Sequence, residues 1–303
     1  MDRIKELGDF GRELGCPVVR YQEPMSSHTT FHIGGPADLF LTAPNADTLR
    51  KLCRKAADLE VPLFPLGNGS NLLVSDGGSR GAVVTFGGDL KKIALCSETA
   101  VQCGAGASLA SLCNFAKEHN LTGVEFAWGI PGSAGGAAYM NSGAYEHSMS
   151  EVVTACFHVT ARGESGTLKG AELGFGYRRG AYSDNGCIIT ALRLELKRGR
   201  REDIAARMEE LYARRKAKQP LELPSAGSVF KRPAGHFAGA LIEQCGLKGR
   251  RVGGAAVSEK HAGFIVNLGG ATCADVEKLI GVIRETVQRE TGVTLECEVK
   301  KVG

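Results

Sequence analysis

The chain has 303 residues, of which 43% are hydrophobic and 23% charged, and carries a net charge of +4. That length allows two or three domains and a sizeable core, the composition is that of an ordinary soluble protein, and the charge is too small to argue for nucleic acid. No apolar run approaches a membrane span and Met1 to Leu7 has no apolar signal core, so a cytoplasmic protein is expected, with no membrane partner. The ten cysteines include no Cys-x-x-Cys pair and the seven histidines show no metal-ligand spacing. Reduced, largely buried thiols and no metal site are expected.

Asp38 to Thr42 reads as a short strand, and Asn45 or Asp47 can cap a helix with Leu49, Leu52, Cys53 and Ala56 on one face. A strand from Leu63 to Leu66 leads into Gly67-Asn68-Gly69-Ser70-Asn71. Such a loop exposes backbone N–H groups with almost no side-chain bulk, the chemistry of an anion nest suited to a diphosphate. It matches neither a P-loop nor a dinucleotide fingerprint, because Leu72 stands in the third-glycine place. A plain hairpin turn fits the same residues. Gly104-Ala105-Gly106-Ala107-Ser108 reads as a tight strand-to-helix turn, followed by a helix carrying Leu109, Leu112, Cys113 and Ala116.

Residues 129–145 form a second glycine-rich segment, with Gly129, Gly132, Gly135, Gly136 and Gly143. Two such loops suggest one large cofactor held at both ends, although Gly135-Gly136-Ala137-Ala138 suits tight helix packing equally well. Cys187 to Leu196 reads as a strand, and the polar stretch 197–203 marks a boundary. Beyond it come a helix with Ile204, Met208, Leu211 and Tyr212, a strand over Phe264–Leu268, and a helix with Val276, Leu279, Ile280, Ile283 and Val287 ended by Gly292. A last strand is expected from Thr294 to Val299. The expected division is 1–90, 91–199 and 200–303.

Six motifs in order resemble the UDP-N-acetylenolpyruvoylglucosamine reductase family over nearly the whole chain. They are Thr29 to Ala37 (TTFHIGGPA), Leu66 to Leu73 (LGNGSNLL), Gly129 to Gly136 (GIPGSAGG), Phe175-Gly176-Tyr177-Arg178, Ala226 to Lys231 (AGSVFK) and Leu295 to Val299 (LECEV). The short chain resembles the family's second type, which lacks an extra substrate loop. The resemblance implies an α+β fold: a two-subdomain FAD-binding unit of the vanillyl-alcohol-oxidase/PCMH type, followed by a C-terminal α+β substrate domain.

It further implies a monomeric flavoenzyme of peptidoglycan precursor synthesis that uses NADPH as co-substrate, holds FAD non-covalently and acts on a UDP-sugar. By motif match the catalytic residues are Ser228 as proton donor, Arg178 at the substrate carboxylate and Glu298 at the enolic carboxyl. Glu298 is chosen over Glu296 by the motif and not by alternation. FAD is expected against Gly67, Asn68, Gly69, Ser70, Asn71, Leu72, Gly132, Ser133, Gly135 and Gly136. Tyr177 and Lys231 are expected at the substrate. The chain departs from the family pattern at Gly180, where serine is usual, at Arg232 in place of asparagine, and at Glu146-His147 in place of small residues. A flavin oxidase of the same broad fold, tethering FAD through His28 or His32, and a non-enzymatic flavin- or nucleotide-binding module are the rival readings.

Overall fold

In a computed structural model, which describes residues 2–303, helix α1 (Arg3–Glu13) precedes strands β1 (Val19–Pro24) and β2 (Pro36–Ala43) and helix α2 (Ala46–Asp58). Strands β3 (Leu63–Leu66), β4 (Leu72–Val74), β5 (Ser79–Phe86), β6 (Ile93–Leu95) and β7 (Ala100–Gly104) follow, then helices α3 (Leu109–Glu118) and α4 (Ala134–Tyr139). After β8 (Val153–Val159), β9 (Ser165–Lys169) and β10 (Ile188–Glu195) comes helix α5 (Arg201–Lys218). The chain ends with β11 (Ser225–Ser228), α6 (Ala238–Gln244), β12 (Arg251–Val252), β13 (Ala255–Val257), β14 (Phe264–Asn267), α7 (Cys273–Thr291) and β15 (Lys300–Val302). Mixed helix and strand content of this kind is the α+β class. Among the described residues, no helix is long and apolar enough to cross a membrane.

These elements make two compact units that alternate along the chain. The larger takes residues up to Gln22, then Asp38–Asn68 and Gly81–Ala213. It contains the four-stranded sheet β1-β2-β5-β3 and the five-stranded sheet β9-β8-β10-β7-β6. Each sheet has its own core. Leu7, Leu39, Leu41, Leu49, Leu52 and Val84 fill the first, and Val101, Leu109, Leu112, Ala137, Leu192 and Met208 contribute to the second. Asn45 caps α2 by accepting the Thr48 N–H, and Ser108 caps α3 by accepting that of Ser111. Gly104 and Gly106 lie against the Leu90 carbonyl and Phe86, so the turn between β7 and α3 is a packing turn.

The smaller unit is assembled from Glu23–Ala37, Gly69–Arg80 and Arg214–Gly303. Its antiparallel sheet runs β11-β14-β13-β12, while β15 pairs in parallel with β4, Lys300 opposite Leu72. Phe31, Ile33 and Leu73 join Val229, Ile242, Ile265, Val276 and Ile283 in one core. Helix α7 starts at a capping box of Thr272 and Asp275 and stops at Gly292 in the left-handed conformation (φ 71°). The strand expected over Thr294–Val299 does not form. Its residues make an isolated bridge from Cys297 to Phe230, and the strand proper begins at Lys300.

Candidate active site

In the larger unit, the two glycine-rich segments come together. A Cβ on Gly67 would run into Ser133 Oγ, and Asn68 Nδ2 donates to the Pro131 carbonyl at 3.3 Å. The second segment spends much of its own backbone internally. The N–H groups of Ala134 and Gly135 donate to Ala107 and Ala105, each at 2.8 Å, and Gly136 donates to Ser133 Oγ. A Cβ on Gly135 would sit 2.7 Å from Ala105 Cβ, so that glycine is required for close packing. The backbone N–H groups of Asn68, Gly69 and Ser70 enter no hydrogen bond among the described residues. The donor set and the lack of side-chain bulk at 67–70 fit a diphosphate such as that of FAD.

Tyr177 and Arg178 also belong to the larger unit. They form a tight turn in which Gly176 and Arg179 exchange backbone hydrogen bonds, and Arg178 adopts a left-handed backbone (φ 55°). A non-glycine residue held there is a form of strain that clusters at functional sites. Arg178 Nη1 donates to the Gly143 carbonyl at 3.3 Å, and the guanidinium lies 5.5 Å from the centre of the Tyr177 ring, itself 58% exposed. Gly143 begins a hairpin in which Ala144 pairs with His147 across Tyr145 and Glu146, both left-handed. Tyr145 Oη anchors that hairpin to the Leu211 carbonyl at 2.9 Å. The departure at Gly180 is accommodated locally: its N–H donates to Ser183 Oγ at 3.2 Å, and a Cβ there would lie 3.2 Å from Phe175.

In the smaller unit, the other half of the 67–72 loop meets the C-terminal motifs. Gly69 is left-handed (φ 61°), and a Cβ on it would collide with the His28 carbonyl. Asn71 Nδ2 donates to the Glu298 carbonyl at 3.2 Å, and the Asn71 carbonyl accepts the Lys300 N–H at 2.9 Å. Ser228 closes β11 opposite Phe264, after a register shift between Ser225 and Ser228, a stretch that includes left-handed Gly227 (φ 76°). Its half-buried hydroxyl donates to the Phe230 carbonyl at 3.1 Å. The Glu298 N–H donates to the carbonyl of Val229 at 2.7 Å, so the backbones of Ser228 and Glu298 are one residue and one hydrogen bond apart. Lys231 Nζ pairs with Glu296 at 3.0 Å. His261, not singled out in the sequence, lies in the same unit: its Nδ1 accepts the Gly263 N–H at 3.1 Å, and burial pushes its pKa down. Its only sequence signal is position, three residues before the strand at Phe264.

A cavity of about 570 Å³ in the larger unit, lined by Thr122, Glu125, His147, Glu195, Arg200 and Leu211 among others, contains none of the residues expected at the site. Its walls mix both charges and do not define a ligand.

Comparison with known proteins places these features in a family. Residues 219–302 match the C-terminal domain of UDP-N-acetylenolpyruvoylglucosamine reductase, and residues 37–169 match an FAD binding domain. The chain is 43% identical over 298 residues to the UDP-N-acetylenolpyruvoylglucosamine reductase of Syntrophomonas wolfei, covering 98% of both proteins. It is 44% identical to UDP-N-acetylenolpyruvoylglucosamine reductase 2 of Bacillus cereus, over 94% of this chain and 93% of that one. The crystal structure of UDP-N-acetylenolpyruvylglucosamine reductase from Thermus caldophilus superimposes with a TM-score of 0.82 at 37% identity, over 94% of this chain and 100% of that one. The chain therefore belongs to the UDP-N-acetylenolpyruvoylglucosamine reductase family of FAD-dependent oxidoreductases.

Proposed function

We propose that the protein reduces the enolpyruvyl ether of UDP-N-acetylglucosamine-enolpyruvate to UDP-N-acetylmuramate, a step of peptidoglycan precursor synthesis, with NADPH as reductant. The observation that carries the reading is the hydrogen bond from the Glu298 N–H to Val229, which ties the backbones bearing the two motif-matched groups, Ser228 and Glu298.

FAD, when bound, would supply the redox chemistry that links NADPH oxidation to reduction of the enolpyruvyl group. Asn68, Gly69 and Ser70 would hold its diphosphate through backbone N–H groups, with Gly67, Asn71, Leu72, Gly132, Ser133, Gly135 and Gly136 shaping the surroundings through small side chains and main chain. Ser228 donates a proton from Oγ to the carbon bearing the ether oxygen, and so must turn its O–H away from the Phe230 carbonyl. Solvent then restores that proton. As the hydride arrives, charge gathers on the substrate carboxylate. The planar fork of Arg178 suits it, and Glu298 assists at the enolic carboxyl. Tyr177 and Lys231 contact the sugar nucleotide. Lys231 first releases Glu296, a small cost because exposed ion pairs contribute only about 0–1 kcal/mol.

The division into FAD subdomains 1–90 and 91–199 and a substrate domain 200–303 is retained within this proposal. Three hydrophobic cores match it in number, while Phe31, Ile33 and Leu73 pack with the C-terminal residues, and Ile204 and Met208 pack with those of 91–199. A cytoplasmic monomer without nucleic-acid or membrane partners completes the reading. The test is NADPH oxidation by the purified yellow protein, with and without the enolpyruvyl substrate. Oxidation that needs the substrate, with FAD released on denaturation, supports the reading. Flavin that stays attached to the denatured chain, or oxidation that needs only oxygen, overturns it in favour of an oxidase.

A further inference from the structure

A continuous run of backbone hydrogen bonds ends on the imidazole of His261. The Glu298 N–H donates to the Val229 carbonyl at 2.7 Å, the Val229 N–H to the Gly263 carbonyl at 2.9 Å, and the Gly263 N–H to His261 Nδ1 at 3.1 Å. The ring is closely confined. A Cβ on either Gly239, in α6, or Gly263 would lie 3.0 Å from its Cε1, and Phe264 packs edge-on with ring centres 5.0 Å apart. That same Cβ on Gly263 would lie 3.4 Å from Ser228 Oγ, so only a glycine backbone separates imidazole from hydroxyl. Acceptance at Nδ1 requires a neutral ring protonated at Nε2. Burial is the main cause of the ring's lowered pKa; a hydrogen bond with its own backbone and the charge of Glu243 oppose it, while the positive charges of Lys248 and Lys218 act in the same direction as burial.

Ser228 is supported unequally on its two sides. On one side stands Gly227, left-handed at φ 76° with no atom near its missing side chain, beside the register shift in β11. On the other stands Val229, held at both its N–H and its carbonyl. We propose that His261 is a positioning residue for Ser228, holding the hydroxyl in register through Gly263 and Val229. This rests on the proton-donor role of Ser228 proposed above. Misplacement of a reacting group by about 1 Å can cost on the order of 10²-fold in rate.

The test compares His261→Leu, which fills the space without an acceptor, with His261→Asn, whose carbonyl can accept the N–H two residues on as in an Asx-turn. Flavin reduction by NADPH and flavin reoxidation by the enolpyruvyl substrate are followed separately by stopped flow, in water and in deuterium oxide. In His261→Leu, reoxidation slows by about 10–100-fold with a larger solvent isotope effect, flavin reduction is unchanged, and His261→Asn restores much of the loss. Gly263→Ala, which crowds the ring, slows the same half-reaction and serves if the leucine variant does not fold. Amide hydrogen exchange at Val229 and Gly263 gives a readout independent of turnover: faster in His261→Leu, and close to wild type in His261→Asn. Wild-type reoxidation at an unperturbed rate in His261→Leu overturns the inference, as do equal losses in both half-reactions or unchanged exchange. Wild-type protein that is not reoxidised by the enolpyruvyl substrate overturns the functional reading instead, and the exchange measurement then still decides whether His261 holds Val229.

Discussion

Lys231 and Glu296 are joined twice: the Lys231 N–H donates to the Glu296 carbonyl at 2.9 Å, and Lys231 Nζ meets Glu296 Oε2 at 3.0 Å. Glu296 is therefore an exposed, partnered carboxylate, while Glu298, two residues on, is half-buried and lies beside Asn71 and Val229 through its backbone. The two glutamates of one motif face different surroundings.

Glu298→Gln is expected to depress reoxidation of the flavin by substrate while sugar-nucleotide binding persists. Glu296→Gln should stay near wild type. A transition-state contact of this kind is worth roughly 3–5 kcal/mol of barrier, and an exposed ion pair about 0–1 kcal/mol. Stopped-flow rates for the two variants check the assignment. Glu296→Gln proving the more damaging change would reverse it.

If the proposed reaction holds, Ser228→Ala should leave flavin reduction by NADPH intact and slow reoxidation by on the order of 10²–10⁴-fold, since in that scheme only the second step needs a proton donor. Equal slowing of both half-reactions would remove Ser228 from that role.

Gly69→Ala and Gly67→Ala should differ. At Gly69 the new methyl meets the His28 carbonyl from a left-handed backbone, whereas at Gly67 it meets a serine hydroxyl that can rotate. Gly69→Ala should cost about 1–3 kcal/mol in thermal unfolding and release FAD more readily, with Gly67→Ala milder on both counts. Melting curves and retained flavin absorbance measure this.

Helix α7 depends on two carboxylates. Asp76 accepts the Cys273 and Ala274 N–H groups at 2.7 and 3.0 Å, and Asp275 accepts the Thr272 N–H at 3.1 Å. Asp76→Ala should lower stability by about 1–2 kcal/mol. The N–H of Thr272, then that of Gly254, holds the Asp275 pKa below its usual 3.8. A depressed folded-state pKa means that the contribution of Asp275 is complete above about pH 4 and disappears as the pH falls through the folded value. Asp275→Asn should accordingly flatten the acid limb of the stability curve, as followed by denaturant melts between neutral pH and pH 3.

All ten cysteines are free thiols. Burial pushes Cys53 up to about 11 and Cys103 and Cys156 up to about 12, and raises Cys113 as well. Alkylation at pH 8 followed by peptide mass mapping should label exposed Cys96 first and reach these four only after denaturation. Labelling of Cys103 in the native protein at the rate of Cys96 would contradict the packing described for β7.

Local signals in the sequence were reliable where the cause was local. The stripes Leu49-Leu52-Cys53-Ala56 and Val276-Leu279-Ile280-Ile283 form helices because one face is apolar and the caps at Asn45 and Gly292 lie next to them. Leu295, Cys297 and Val299 alternate as a strand should, yet their partner is Phe230 through a single bridge, and nothing nearby in sequence reveals that. Gly135 looked as suitable for a phosphate as Gly67 does. Its neighbour Ala105, thirty residues earlier, is what makes it a packing glycine. The pairing of Asn71 with Glu298 and that of Val229 with Gly263 depend on chain segments too distant for any motif to join.

The interleaving of the smaller unit sets an order of assembly on the ribosome. Phe31, Ile33 and Leu73 emerge early, but the core that receives them is built largely from residues after Arg214. Strand Leu72–Val74 waits for Lys300–Val302, and the N-terminus of α7 waits on Asp76. The larger unit has all its residues once Ala213 has left the exit tunnel, whereas the smaller cannot close until translation has nearly ended. A gene fragment encoding only residues 219–302 would lack three core side chains, one strand and a helix cap, and its product should remain unfolded.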